Sequence, residues 1–289
     1  MNALTQSTLA SPSPIPPHLL SDGQLVVLFL ALLAYAGTFW PLLAQLLSQR
    51  TPKHLASLVL LFIGLSLHAY ILLPDLITPY GVDFNLFNVL SLTSWLMLTL
   101  SFFFSTYRPV IALNLLAIPV ATAGLLAGAL WQAPYQPLTQ IGHGLEWHIV
   151  FSLAAYCVLL MAAIQAILLK VQIRELKHTS ERRIWVKMLP PLQTMESLLF
   201  DMLLLGFVLL TGALWLGAIS VDNMMAQHLV HKTVFSVLSW LIFGILLIGR
   251  WRMGWRGPRA VTFTLWGFAF LLLGFLGSKF VLEVVLKIS

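Results

Sequence analysis

The chain has 289 residues, 59% of them hydrophobic and 9% charged, with a formal net charge of +6. A soluble domain carries about a quarter charged residues, so a chain this apolar cannot hide its side chains in one aqueous core and takes the bilayer as its solvent. The positive charge does not point to nucleic acid, because the basic residues lie in short clusters between apolar runs, where they act as orientation signals.

Residues 1–24 read as a flexible Ser/Pro-rich tail that lacks the basic start of a secretory signal peptide. Residues 25–289 read as one all-α, polytopic membrane domain. A run that crosses about 30 Å of hydrocarbon needs roughly twenty residues. Eight such runs are present, at 25–47, 55–73, 84–104, 109–130, 148–170, 195–219, 230–249 and 260–286. The second holds His68 in its outer part. The fourth holds Pro119, where a kink is tolerable, and a GxxxG pair, Gly124 and Gly128, which is a helix-packing signal. The fifth contains the single cysteine, Cys157, which excludes a disulfide framework, a CxxC pair and a CxxCH haem attachment, and reads as packing.

The sixth run opens with Glu196 and Asp201. A carboxylate in hydrocarbon normally finds a partner or faces water. Glu196 is close enough to the basic inner connection to pair with it, whereas Asp201 is read equally as a pair with a neighbouring span or as part of an ion path. In the eighth, Lys279 and Glu283 stand four apart and would pair on one helix face.

Arg50, Lys53, Arg108, Lys170, Arg174, Lys177, Arg182, Arg183, Lys187, Arg250, Arg252, Arg256 and Arg259 all fall in alternate connections, leaving only Lys232, Lys279 and Lys287 for the other side. The positive-inside rule therefore turns both termini outward. Histidine shows the opposite bias. His54 and His178 are cytoplasmic, whereas His143, His148, His228 and His231 lie outside, close to Glu146, Trp147 and Lys232.

Histidine is a common metal ligand and the usual proximal ligand of haem iron. His228 and His231 are three apart, a spacing that could chelate one small metal ion from a single helix face. It cannot supply both axial ligands of one haem, which approach the iron from opposite sides, so a bis-histidine site needs a second segment. His148, where the fifth run meets the outer face, is the best geometric partner. Interfacial histidines and tryptophans also occur as ordinary belt residues, and Lys232 could simply snorkel to the headgroups. No HExxH, GxSxG or P-loop motif is present, so a non-catalytic role is expected.

Three segments narrow the reading. The stretch WLIFGILLIGRWRMGWRGPRAVTFTLWGFAFLLLGFLGSKFVL from Trp240 has a Trp-led span, a basic turn ending in GWRG, and a last span with Gly267-Phe268 and a late Gly277. MESLLFDMLLLGFVLLTGALWLGA from Met195 is an acidic-start span ending in small residues and a tryptophan, and HIVFSLAAY from His148 is a histidine-led span. Together, over residues 143–287, they resemble the cytochrome c assembly (CcsA/CcmC-like) haem-handling membrane proteins, and fit best the shorter HemX/YpjD-like branch.

That resemblance implies non-covalent haem b held near the outer face of a bacterial inner membrane. His148 matches the family's histidine before its tryptophan-rich haem platform, and Lys232 matches the lysine after it. The chain departs from the pattern in having no tryptophan between Ile219 and Lys232, and Leu286 where the family carries a further histidine. The implied ligands are His148 and His231, with His228 as substitute, Trp147 as a neighbouring ring and Lys232 for a haem propionate. Haem, the lipid bilayer and other cytochrome c maturation membrane proteins are the expected partners. The departures keep an alternative open, a haem-free transport component or membrane partner subunit that retains the fold.

Overall fold

A computed structural model of the protein describes residues 20–48, 54–78, 81–107, 111–131, 143–177, 190–220 and 230–280. Eight long helices account for nearly all of them: α1 (Asp22–Ser48), α2 (His54–Leu76), α3 (Leu86–Ser105), α4 (Ile111–Leu130), α5 (His143–Lys177), α6 (Leu192–Ser220), α7 (Val230–Met253) and α8 (Pro258–Phe280). The first seven are long and apolar enough to cross a membrane, and α8 is apolar over Pro258–Gly274. The protein is a polytopic all-α membrane protein.

The helices match the eight apolar runs but several outrun them. Pro74 lies inside α2 and Pro41 inside α1, so neither ends its helix. Pro119 sits on the exposed side of α4, which continues through it. The largest difference is α5, whose 35 residues span about 52 Å at 1.5 Å per residue, well beyond the hydrocarbon thickness. Hydropathy marks only the part of a helix that lipid covers, and the polar turns at either end of α5 are invisible to it.

The structure also contains a short antiparallel hairpin, Ile77–Thr78 paired with Gly81–Val82, which periodicity could not have announced in so few residues. It is tied to the start of α3. The Asn85 side chain caps α3 by accepting the Asn88 backbone N–H at 3.0 Å, and the Asn88 amide donates in turn to the Asp75 and Asp83 carbonyls.

The helices form two closed rings of four. In the N-terminal ring α1 packs on α2, α2 on α3, α3 on α4 and α4 back on α1; in the C-terminal ring α5 packs on α6, α6 on α7, α7 on α8 and α8 back on α5. The rings meet chiefly where α5 lies against α3. There the Cys157 thiol donates to the Thr93 carbonyl at 3.4 Å, so the cysteine packs at the seam. Gly124 and Gly128 bring α4 onto the Ser94 and Ser91 faces of α3, so close that a methyl at Gly124 would collide with Ser94. Large apolar side chains such as Phe29, Phe62 and Ile248 face outward, as a bilayer solvent requires.

Candidate functional site

The seam between α5 and α6, the most extensive pairing in the molecule, places the site. The two helices run antiparallel, with Leu159 against Gly206, Phe151 against Gly212 and His148 against Gly217. Small residues on α6 let the α5 side chains lie directly on its backbone. At the end of this seam the His148 Nδ1 lies 2.7 Å from the Ala213 carbonyl oxygen. A carbonyl oxygen can only accept, so Nδ1 carries the proton and donates it. In the neutral ring the remaining lone pair is then on Nε2, for which no protein partner exists among the described residues. A histidine whose Nδ1–H is held by a backbone carbonyl is in the state that presents Nε2 to a metal.

The neighbours foreseen for His148 are placed unevenly. Trp147 is 58% exposed, one residue around the helix from the half-buried His148. Glu146 is half-buried in the first turn of α5, whose first residue is His143. His231 and Lys232 lie in the first turn of α7, and Lys279 near the end of α8, but their side chains lie outside the described residues. His228, His178, Glu283 and Leu286 lie wholly outside them. The two helices that carry His148 and His231 stand diagonally across the C-terminal ring, with α6 and α8 between them. Among the described residues no three His, Cys, Asp or Glu side chains converge as a metal cluster.

His68 is a buried polar residue for which the sequence implied no role. It is fully buried in the N-terminal ring, with Nδ1 3.0 Å from the Tyr35 hydroxyl and Nε2 3.0 Å from the Ser91 hydroxyl. Both ring nitrogens are engaged, so His68 ties α1, α2 and α3 together and offers no lone pair to a ligand as it stands. The signal was the combination of Tyr35, His68 and Ser91 in three apolar runs, which cannot be connected without knowing that the three helices are neighbours.

At the opposite end of the bundle Glu196 does pair with arginine, and its nearer partner comes from the last turn of α7. Arg250 Nη1 lies 2.9 Å from Glu196 Oε1, and the more exposed Arg256 Nε lies at 3.8 Å. The Arg250 guanidinium also covers the Phe200 ring at 4.6 Å. Asp201 is half-buried on α6 and makes an interaction of its own.

The family described as Cytochrome C assembly protein matches residues 51–286. This chain belongs to that family. The match takes in α2 to α8, so it extends beyond the resemblance over residues 143–287 to three further spans, and it covers both His68 and His148. The Inner membrane protein YpjD of Escherichia coli strain K12 is 29% identical over 269 residues, 90% of this chain and 99% of that protein. The Cytochrome c biogenesis protein CcsA of Gloeobacter violaceus is 28% identical over 93 residues, 32% of this chain and 28% of its own length. No solved structure matches significantly.

Haem is the group that membership in a cytochrome c assembly family implies, and the donor chemistry at His148 fits it. The ring is half-buried, its tautomer is set by the Ala213 carbonyl, and Nε2 is unpartnered among the described residues. That is one ligand's worth of fit; a second must come from another segment.

Proposed function

We propose that the protein handles haem b non-covalently, without catalysing a reaction, in a bacterial inner membrane. The site lies at the end poor in lysine and arginine, which the charge bias turns outward. His148 would hold the haem iron through Nε2, with His231 as a second ligand and His228 as its substitute, and Trp147 and Lys232 would contact the ring and a propionate. The iron, when bound, would supply coordination to imidazole nitrogen. The protein's own part is to hold His148 in one tautomer and orientation, and to present it where a membrane-soluble ligand meets the outer aqueous phase. Other cytochrome c maturation membrane proteins are its expected partners. The observation that carries this reading is the Nδ1–H bond from His148 to the Ala213 carbonyl.

The decisive experiment is an absorbance spectrum of detergent-purified protein from haem-replete cells, with pyridine haemochrome quantitation. A Soret band with close to one haem per chain is expected, strongly reduced in His148→Ala that still elutes as a folded monodisperse species. A colourless wild-type protein that also takes up no added haemin overturns the reading. The second reading, a haem-free transport component or partner subunit, rests on the absence of tryptophan between Ile219 and Lys232. It predicts that colourless outcome.

A further inference from the structure

The His148 ring at the candidate site lies against a residue that has no side chain, Gly217. An ideal Cβ built at Gly217 would lie 2.8 Å from His148 Cε1 and 2.9 Å from Nδ1, against 3.7 Å from Nε2. The Nδ1–Cε1 edge of the imidazole is thus pressed flat on the α6 backbone, and Nε2 points away from it. In a regular α-helix the Ala213 carbonyl accepts the N–H of residue 217. A carbonyl oxygen has two lone pairs, so the second is open to His148, provided that nothing projects from position 217.

We infer that Gly217 and the Ala213 carbonyl together form a built seat for His148, which makes Gly217 a positioning residue for the ligand. The functional consequence rests on the haem reading above; the seat itself is a property of the ligand-free protein. Carbon atoms pack at about 3.5–4.0 Å, so a methyl at 217 forces the ring back by several tenths of an ångström. The 2.7 Å bond to Ala213 would lengthen towards the limit at which a hydrogen bond is lost. The ring would then be free to move its proton to Nε2, the tautomer that unconstrained imidazole favours in water, and that blocks the nitrogen meant for iron. Losing an orienting partner of a metal-bound histidine typically costs about 10–100-fold in affinity.

Glycines elsewhere on the same seam give the control. A Cβ at Gly206 would press on Leu159 Cδ2 at 2.5 Å, a packing strain of the same kind, about three turns away from the histidine. If Gly217 mattered only for helix packing, Gly206→Ala would act in the same way.

The test uses full-length protein in detergent, haem-free and labelled with ¹⁵N-histidine, with the His148 signals assigned through His148→Gln. The ¹⁵N shifts report which ring nitrogen carries the proton. Wild type and Gly206→Ala should show an Nδ1–H His148, and Gly217→Ala should show the proton mainly on Nε2. With haemin added, Gly217→Ala should bind about 10–100-fold more weakly than Gly206→Ala. The inference is overturned if Gly217→Ala keeps the Nδ1–H tautomer, or if Gly206→Ala loses it equally. Should Gly217→Ala fail to fold, the wild-type spectrum still decides, because an Nε2–H His148 there would refute the seat. An Nδ1–H His148 in a protein that binds no haemin would support the seat while removing the haem reading, so the two failures are told apart.

Discussion

Glu196→Gln isolates the ion pair at the arginine end of the bundle, because it removes the charge and keeps the shape. At 2.9 Å from Arg250, and with an effective dielectric near 20, Coulomb's law gives a gross attraction of about 6 kcal/mol. Both side chains are largely withdrawn from water, at 23% and 12% exposure, so desolvation offsets much of that. What remains should be about 1.5–3 kcal/mol, the usual size for a hydrogen bond to a charged group. Arg256 contributes little to the sum, because its side chain is 69% exposed and 3.8 Å away. Arg250→Gln should cost more than Glu196→Gln, since it also removes the guanidinium over Phe200. The assay is reversible unfolding in SDS and mild-detergent mixed micelles, run as a double-mutant cycle. A coupling of about 1.5–3 kcal/mol is expected. If the two single substitutions simply add, with coupling below about 0.5 kcal/mol, the two groups are neighbours that do not stabilise one another.

Two further outcomes use the same assay. Gly124→Val should destabilise the protein by about 1–3 kcal/mol, because its side chain would meet Ser94 and the Leu90 carbonyl of α3. Val at the neighbouring, outward-facing Val120 changed to Leu should be near neutral, and an equal loss at both positions would remove α3–α4 packing as the cause. Tyr35→Phe should cost about 0.6 kcal/mol and no more than about 1.7, the range for a single interhelical hydrogen bond in a membrane protein. A loss above about 3 kcal/mol would mean that the Tyr35–His68–Ser91 network acts as one cooperative unit, and that pairwise reasoning misjudges it.

The sequence made the spans legible because lipid imposes a simple rule on them: about twenty apolar residues, bounded by charge. It could not show that the helices close into two rings of four, since every helix is apolar almost all round and no face is marked for a particular neighbour. The same limit governs the site. His148 was visible from its place at the mouth of an apolar run, and Glu196 from its cost in hydrocarbon. The partners were not visible. Arg250 stands 54 positions from Glu196, and Ala213 stands 65 from His148. The Ala213 carbonyl has no sequence signature at all, because every residue carries one. Gly217 was legible only as part of a small-residue stretch, LTGALWLGA, whose purpose depends on which helix it faces. The hairpin at 77–82 was missed because two residues per strand carry no periodicity.

His68 and His148 show why ligand chemistry has to be read from neighbours rather than from residue type. Both are histidines near an end of an apolar helix, and by hydropathy His68 is the more deeply placed. Tyr35 and Ser91 flank His68 with hydroxyls, each able to donate or accept, so both of its nitrogens are satisfied whichever tautomer it holds. Opening either nitrogen to iron would break a buried hydrogen bond. His148 meets a carbonyl, which can only accept, and this fixes one nitrogen as a donor while leaving the other without a partner among the described residues. A satisfied histidine stabilises a fold, and a half-satisfied one with its tautomer fixed is available for ligation. The asymmetry also follows the packing. The α1–α2–α3 contact closes over His68, whereas His148 lies at the end of the α5–α6 seam, beside the exposed Trp147. The fold thus puts its sealed histidine in the N-terminal ring and its open one in the C-terminal ring, where the family resemblance in sequence is also clearest.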